Sequence, residues 1–311
     1  MKRETCSFFA VLTTVVALTA CAGKEDPDAV SPRLPFEGAT FTVASKGTTE
    51  NILLGKMTAA VLSAHGATIV DETENPKDAR AALTSGAVDM YWEYTGAAWV
   101  SYRGNAQAIA DPVQQYQEMK VADAAEGIAW LDGAPVNNSY AIAVAGDKAK
   151  ELRLESLTDL AKLSKSKSAG ISFCIDAEFS ARKDGFTGMT EAYGIRVDQD
   201  KVKTLEGEVI SSEVAKGQTC TFGEVFATDG RISALGLKVL TDDRYLFPSY
   251  SAALTLRQET LDQHPKIADY INSVTAQLDD ATMTELNTRV DAEGEDPEEV
   301  AESWLQEKGL I

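Results

Sequence analysis

The sequence predicts an α/β fold of two lobes with a cleft between them. Near the N-terminus, short β-branched stretches alternate with amphipathic ones in the order β-α-β-α-β, the signature of a parallel sheet under covering helices. A second βα series starts at about Asn137, and a further strand returns near Tyr250. No fixed-period repeat points instead to a solenoid or propeller.

Residues 1–20 read as a secretory signal. Lys2 and Arg3 give it a positive start, and the apolar stretch 8–20 is too short to span a hydrocarbon layer of about 30 Å. Leu18-Thr19-Ala20-Cys21 resembles a bacterial lipobox, which makes Cys21 the expected lipid-bearing first residue. Such an anchor tethers a protein to the outer face of the cell membrane without spanning it. Residues 21–35, rich in Gly, Lys, Glu, Asp, Ser and Pro, read as a flexible spacer.

Phe41-Thr-Val-Ala-Ser45 alternates and forms the first strand. Thr48 and Thr49 offer caps to a helix over 51–65, which Gly66 ends. A second strand follows at 67–70, Asn75-Pro76 opens a helix that Gly86 stops, and 88–91 returns to strand. Parallel sheets bind ligands at the carboxyl ends of their strands, so the loops 45–49 and 92–96 are the ones expected to matter. In the second series, 137–144, 170–174, 202–205, 220–226 and 237–240 read as strands. Ser156 caps one helix there, and 179–193 covers a loop and another. Residues 250–256 are the returning strand. From Thr260 the tail is helical, with Leu261, Ile267, Ile271, Val274 and Leu278 as its apolar stripe and Trp304 and Leu305 in the last helix.

The formal charge of −19 argues against a nucleic-acid partner, because phosphate binding needs clustered Lys and Arg. Of four cysteines, Cys6 lies in the signal and Cys21 at the anchor. Cys174 and Cys220 remain, and in an exported protein they are expected to pair. No CxxC spacing suggests structural zinc, and no cofactor or metal is expected. Only His65 and His264 occur, and His65 before Gly66 fits a helix end. With no GxSxG, HExxH or phosphate-binding loop, an enzyme has little support.

Aromatic residues are what strand ends and loops do offer: Tyr91, Trp92, Tyr94, Trp99, Tyr102, Tyr140, Phe179, Phe226 and Tyr250. Any one of them is ordinarily core. Several converging make a cage for a methylated ammonium, which offers no conventional hydrogen bond but is drawn to ring faces.

Six segments, in order and at matching distances, resemble one family. They are Ser-Lys-Gly-Thr-Thr-Glu (45–50), Gly-Ala-Val-Asp-Met-Tyr-Trp-Glu-Tyr-Thr-Gly (86–96) and Asn-Asn-Ser-Tyr-Ala (137–141), then Glu-Phe-Ser-Ala-Arg-Lys-Asp-Gly (178–185), Ala-Thr-Asp-Gly-Arg-Ile (227–232) and Leu-Thr-Asp-Asp-Arg-Tyr-Leu-Phe-Pro-Ser-Tyr (240–250). From about Phe41 to the C-terminus the chain is similar to the substrate-binding lipoproteins of osmoprotectant ABC importers, which take up glycine betaine, choline and carnitine.

The resemblance implies a two-lobed periplasmic-binding-protein-like fold of type II with the ligand in the interlobe cleft. Lobe I would take 36–136 plus 246–311 and lobe II 137–245, with crossovers near 136–138 and 242–247. It implies an aromatic cage of Trp92, Tyr140, Phe226 and Tyr250, and a carboxylate clamp of Lys46, Thr95 and Arg182. Trp92 and Phe226 stand where members often carry tyrosine. Tyr91, Tyr94 and Asp229 are further candidates, although Asp184 and Asp229 also suit turn capping or the orienting of an arginine. Asp229 facing the cage would favour a plain cation such as choline. The implied partners are a small quaternary-ammonium or zwitterionic ligand and the permease subunits in the membrane, with the binding protein a monomer. Choline, carnitine or ectoine are the alternatives within this class. An exported enzyme, or an adhesive lipoprotein without a cleft, are those outside it.

Overall fold

A computed structural model describes residues 33–74, 78–105, 109, 111–166, 170–182, 185–247 and 249–311. The signal, Cys21, most of the spacer, Asn75-Pro76 and Asp184 lie outside the described residues. The chain first lays down β1 (Thr40–Ala44), α1 (Thr49–Ala64), β2 (Thr68–Glu72), α2 (Ala79–Ser85), β3 (Met90–Tyr94), α3 (Thr95–Ser101), α4 (Pro112–Ala124) and β4 (Ile128–Trp130). It then crosses to β5 (Tyr140–Ala145), α5 (Gly146–Leu152), α6 (Leu157–Ser166), β6 (Phe173–Ile175), α7 (Ala177–Ala181) and α8 (Phe186–Tyr193). There follow β7 (Val202–Thr204), α9 (Gly207–Lys216), β8 (Phe222–Phe226), α10 (Arg231–Ala234) and β9 (Leu237–Leu240). A second crossing leads to β10 (Ala252–Arg257), α11 (Gln258–Gln263), α12 (Lys266–Thr275), α13 (Asp280–Asp291) and α14 (Pro297–Glu307).

Two sheets result, in the orders β2-β1-β3-β10-β4 and β7-β6-β8-β5-β9. They share a plan. In the first, β1 pairs parallel with β2 and β3, while β10 runs antiparallel to β3 and β4. In the second, β6 pairs parallel with β7 and β8, while β5 runs antiparallel to β8 and β9. The reversed strand of each sheet is the one a crossover delivers. Its first residue therefore stands beside the carboxyl ends of the parallel strands.

One apolar core runs from Phe41 and Met90 on the first sheet through Tyr140 and Tyr250 to Phe173 and Phe222 on the second. Within it, Ile267, Ile271 and Val274 of α12, with Leu278 just beyond its end, are the buried part of the stripe expected in the tail. Cys174 and Cys220 are joined, with their Cα atoms 5.7 Å apart, against Ile210 and Val214 of α9. Among the described residues no helix is long and apolar enough to cross a membrane.

Among the local readings that change, three lie at the first sheet. β3 continues through Trp92, Glu93 and Tyr94 because β10 pairs along it, Leu254 opposite Trp92 and Ala252 opposite Tyr94. Within the described residues, the helix placed after Asn75-Pro76 starts at Ala79, where the Asp78 carboxylate accepts from the Ala81 amide at 2.9 Å. The stretch read as a loop after Tyr94 is the start of α3, which has no side-chain cap to announce it.

Candidate functional site

The two crossings assemble an aromatic cluster. Tyr140 opens β5 and lies opposite Phe226, the last residue of β8, and their rings stack at 5.0 Å and 27°. Phe179 of α7 meets Tyr140 at 4.8 Å, and Tyr250, just before β10, meets it edge-on at 5.7 Å. Tyr250 can lie there only because residue 96 has no side chain: a Cβ on Gly96 would fall 1.9 Å from Tyr250 Cδ1.

Arg182, at the end of α7, lays its guanidinium over the ring faces of Tyr140 and Tyr250 at 5.4 and 5.8 Å. It donates to the Tyr250 hydroxyl at 2.6 Å, to Ser101 Oγ of α3 at 3.4 Å and to Glu178 Oε1 at 3.2 Å. A cation therefore already lies on the aromatic faces, with side chains of β5, α3, α7 and the second crossing around it.

The other predicted site residues are placed differently. Trp92 is not part of the cluster. Because β3 runs on past it, Trp92 is mid-strand, 1% exposed, and its indole N–H donates to Thr58 Oγ1 of α1 at 2.8 Å. Thr95 is fully buried, and its hydroxyl donates to the Ser249 carbonyl at 3.0 Å. Lys46 pairs with Glu93 at 2.7 Å. Burial alone would pull the Lys46 ammonium down, but Glu93 and Tyr102 beside it carry it above its ordinary value. Tyr91 donates to Glu93 Oε2 and Tyr94 to Glu50 Oε1, so both hydroxyls are tied to carboxylates. Neither histidine enters the site: His65 Nδ1 lies 2.8 Å from the Val61 carbonyl, and His264 packs edge-on against Phe41.

Beside the cluster lies a cavity of about 860 Å³, with Phe226 in its wall. The N-terminus of α1, the ends of β6 and β8, the start of α9 and α13 bound it. Glu50, Asp176, Glu206, Glu224, Asp229 and Asp291 line it, against a single cation, Arg231, among the described residues. Asp229 holds Arg231, accepting from its Nε at 2.8 Å, and also accepts from Ser211 at 3.1 Å.

Glu50 is buried and accepts from Tyr94, Asn138, Thr228 and Asn287. Burial pushes its carboxyl up, against the four hydrogen bonds that favour its charged form. Burial, and then the charge of Asp176, push the Glu224 carboxyl up to about 8. Asp176 is itself raised, chiefly by burial. The residues the sequence reading passed over are Glu50, Asn138, Asp176 and Glu224. Glu50 and Asn138 stood inside segments already singled out. Glu224 carried its own signal, a charge in the otherwise apolar alternation Phe222-Gly-Glu-Val-Phe226.

Paired lobes, a cavity between their strand ends and an aromatic cluster beside it are the architecture of a solute-binding protein. The chain belongs to the OpuAC family, the substrate-binding domain of ABC-type glycine betaine transport systems, which matches residues 39–307. It is 34% identical over 281 residues to the glycine-betaine-binding protein of Pseudomonas aeruginosa, covering 88% of this chain and 90% of that one. Apo YehZ from Escherichia coli superposes with a TM-score of 0.70 at 32% identity, over 88% of this chain and 99% of that one. The crystal structure of a glycine betaine/carnitine/choline ABC transporter gives 0.73 at 26% identity over the same shares. The chain is thus a binding component of an ABC transport system, working outside the cytoplasm, and not an enzyme.

Proposed function

We propose that this protein captures a quaternary-ammonium osmolyte of the glycine betaine type and presents it to an ABC permease. The observation behind this is the convergence of Tyr140, Phe226 and Tyr250 around a guanidinium, a ring arrangement already suited to a positive charge. The cage is then Tyr140, Phe226 and Tyr250 with Phe179, and Trp92 has no part in it. The methylated nitrogen takes the faces that Arg182 covers, and Arg182 turns to grip the ligand's carboxylate with its planar fork. Lys46 and Thr95 act indirectly, Lys46 by charge through its pair with Glu93 and Thr95 by fixing Ser249.

The lobes are assigned as 36–136 plus 246–311 and 137–245, hinged at the two crossings, with Cys21 carrying the lipid anchor. A choline-like cation is the second reading, favoured by the carboxylates along the cavity.

Calorimetry on the mature protein with glycine betaine, proline betaine, choline, carnitine and ectoine tests the reading. At least one quaternary-ammonium ligand is expected to bind, and Tyr140→Ala and Tyr250→Ala are each expected to weaken it by about 1–2 kcal/mol. Unchanged affinity in both variants rejects the cage, and no binding across the panel rejects the function.

A further inference from the structure

We propose that Glu224 is the counter-ion of the ligand's cationic end, an anionic wall set beside the aromatic one. This rests on the quaternary-ammonium reading above and adds the residue that makes positive charge, rather than shape alone, a condition of binding.

Strand geometry places the carboxylate. On β8, Phe222, Glu224 and Phe226 share one face, while Gly223 turns to the other, against Ile210 and Val214 of α9. Glu224 lies opposite Ile142 and Phe226 opposite Tyr140, so Glu224 is the same-face neighbour of the stacked Tyr140–Phe226 pair. It is 4% exposed, and it lines the cavity whose wall Phe226 also forms.

One Glu224 oxygen accepts from the Asp176 amide at 2.8 Å. Among the described residues the other has no partner, and neither lysine nor arginine pairs with the group. The ionisable groups facing it are Asp176 at the end of β6, Glu178 of α7 and Tyr140 of β5. Asp176 is engaged as the cap of α7, accepting from the Phe179 amide at 2.6 Å. Arg182, the cation on the same segment, is held by Glu178 and Tyr250. A buried carboxylate left without a cation is costly, and this one faces the cavity that Phe226 of the aromatic cluster also lines. Its raised affinity for a proton is the same deficit seen another way.

In the empty site Glu224 holds a proton near neutral pH. An arriving ammonium replaces that proton, which passes to the buffer as the ion pair forms. The ligand's carboxylate, if it has one, lies toward Arg182. Positive charge is then required and a carboxylate is optional.

The test uses the mature chain at pH 7 with glycine betaine, choline and 3,3-dimethyl-1-butanol, the uncharged carbon isostere of choline. Calorimetry in two buffers of different ionisation enthalpy reads affinity and proton release together. Wild type is expected to bind choline with release of a proton and to bind the isostere at least about tenfold more weakly. Glu224→Gln, its fold checked by thermal melting, is expected to lose about ten- to a hundredfold in choline affinity, approach the isostere and release no proton. Glu224→Asp should keep part of the preference. A folded Glu224→Gln that binds choline within about twofold of wild type overturns the proposal. If that variant fails to fold, choline binding to wild type without proton release overturns it equally. Failure of wild type to bind any ammonium ligand rejects the quaternary-ammonium reading, and the counter-ion with it. Binding that ignores Glu224 rejects the counter-ion alone.

Discussion

Glu50 sits in the first turn of α1, where the helix dipole favours a negative charge, and its hydrogen-bond partners are all neutral donors. They come from four places: Tyr94 of β3, Asn138 of the first crossing, Thr228 after β8 and Asn287 of α13. One carboxylate thus ties both sheets and the tail to a single point. Glu50→Gln keeps the shape but turns an N–H toward neighbouring donors, of which Asn287 also has the Thr228 carbonyl to donate to. It is expected to cost roughly 2–4 kcal/mol, read as a lower urea midpoint. An unchanged midpoint would mean the four contacts are replaceable by water. The same scale shows what a sequence conceals. The segment 45–50 drew attention to Lys46, whereas the residue four places on, Glu50, binds the lobes together.

Elements were legible where their own residues decide them. β1, β7, β8 and β9 fall within a residue or two of their sequence positions, because β-branched alternation and flanking turns are local signals. α4 offered a local signal too, Asp111 capping before Pro112 at its first position, yet it stood outside the two βα series. The end of β3 was not legible, since its last residues are strand only through β10, which lies more than 150 residues away. That single extension moved Trp92 from the expected cage into the core, while Tyr140, Phe226 and Tyr250 converged from motifs the sequence displayed. The start of α3 is the element on which the cluster depends, because Tyr250 rests against Gly96. Gly96→Ala places a methyl inside the ring's space, so Tyr250 must move by more than an ångström. Overpacking of this kind costs about 1–3 kcal/mol. The expected result is a protein that still folds but has lost at least about tenfold in ligand affinity. Wild-type affinity in Gly96→Ala would show that Tyr250 does not contact the ligand.

At the scale of the whole molecule, three raised carboxyls, Glu50, Asp176 and Glu224, line one cavity in a chain of formal charge −19. The direction of their linkage follows from which state binds more protons. Glu224 goes from an ordinary 4.5 in the unfolded chain to about 8 in the folded one, so within that window the folded state holds the extra proton. Its contribution to stability is complete below the lower value and is lost as pH rises through the upper one. Asp71 and Asp123 are shifted the other way, their hydrogen bonds outweighing burial. Their contribution fails only as pH falls below the ordinary 3.8, outside this window. The melting temperature of the ligand-free protein should therefore decline from about pH 5 to about pH 8, and Glu224→Gln should flatten the decline. With a saturating ammonium ligand the carboxylate is paired, so the gain in melting temperature on binding should grow over the same range. Subtracting the variant's profile from that of wild type removes the general repulsion of an acidic surface and leaves the one group. A difference profile that is flat, or that rises with pH, would mean that Glu224 meets water or a cation in the folded protein and takes its proton no more readily than in the open chain.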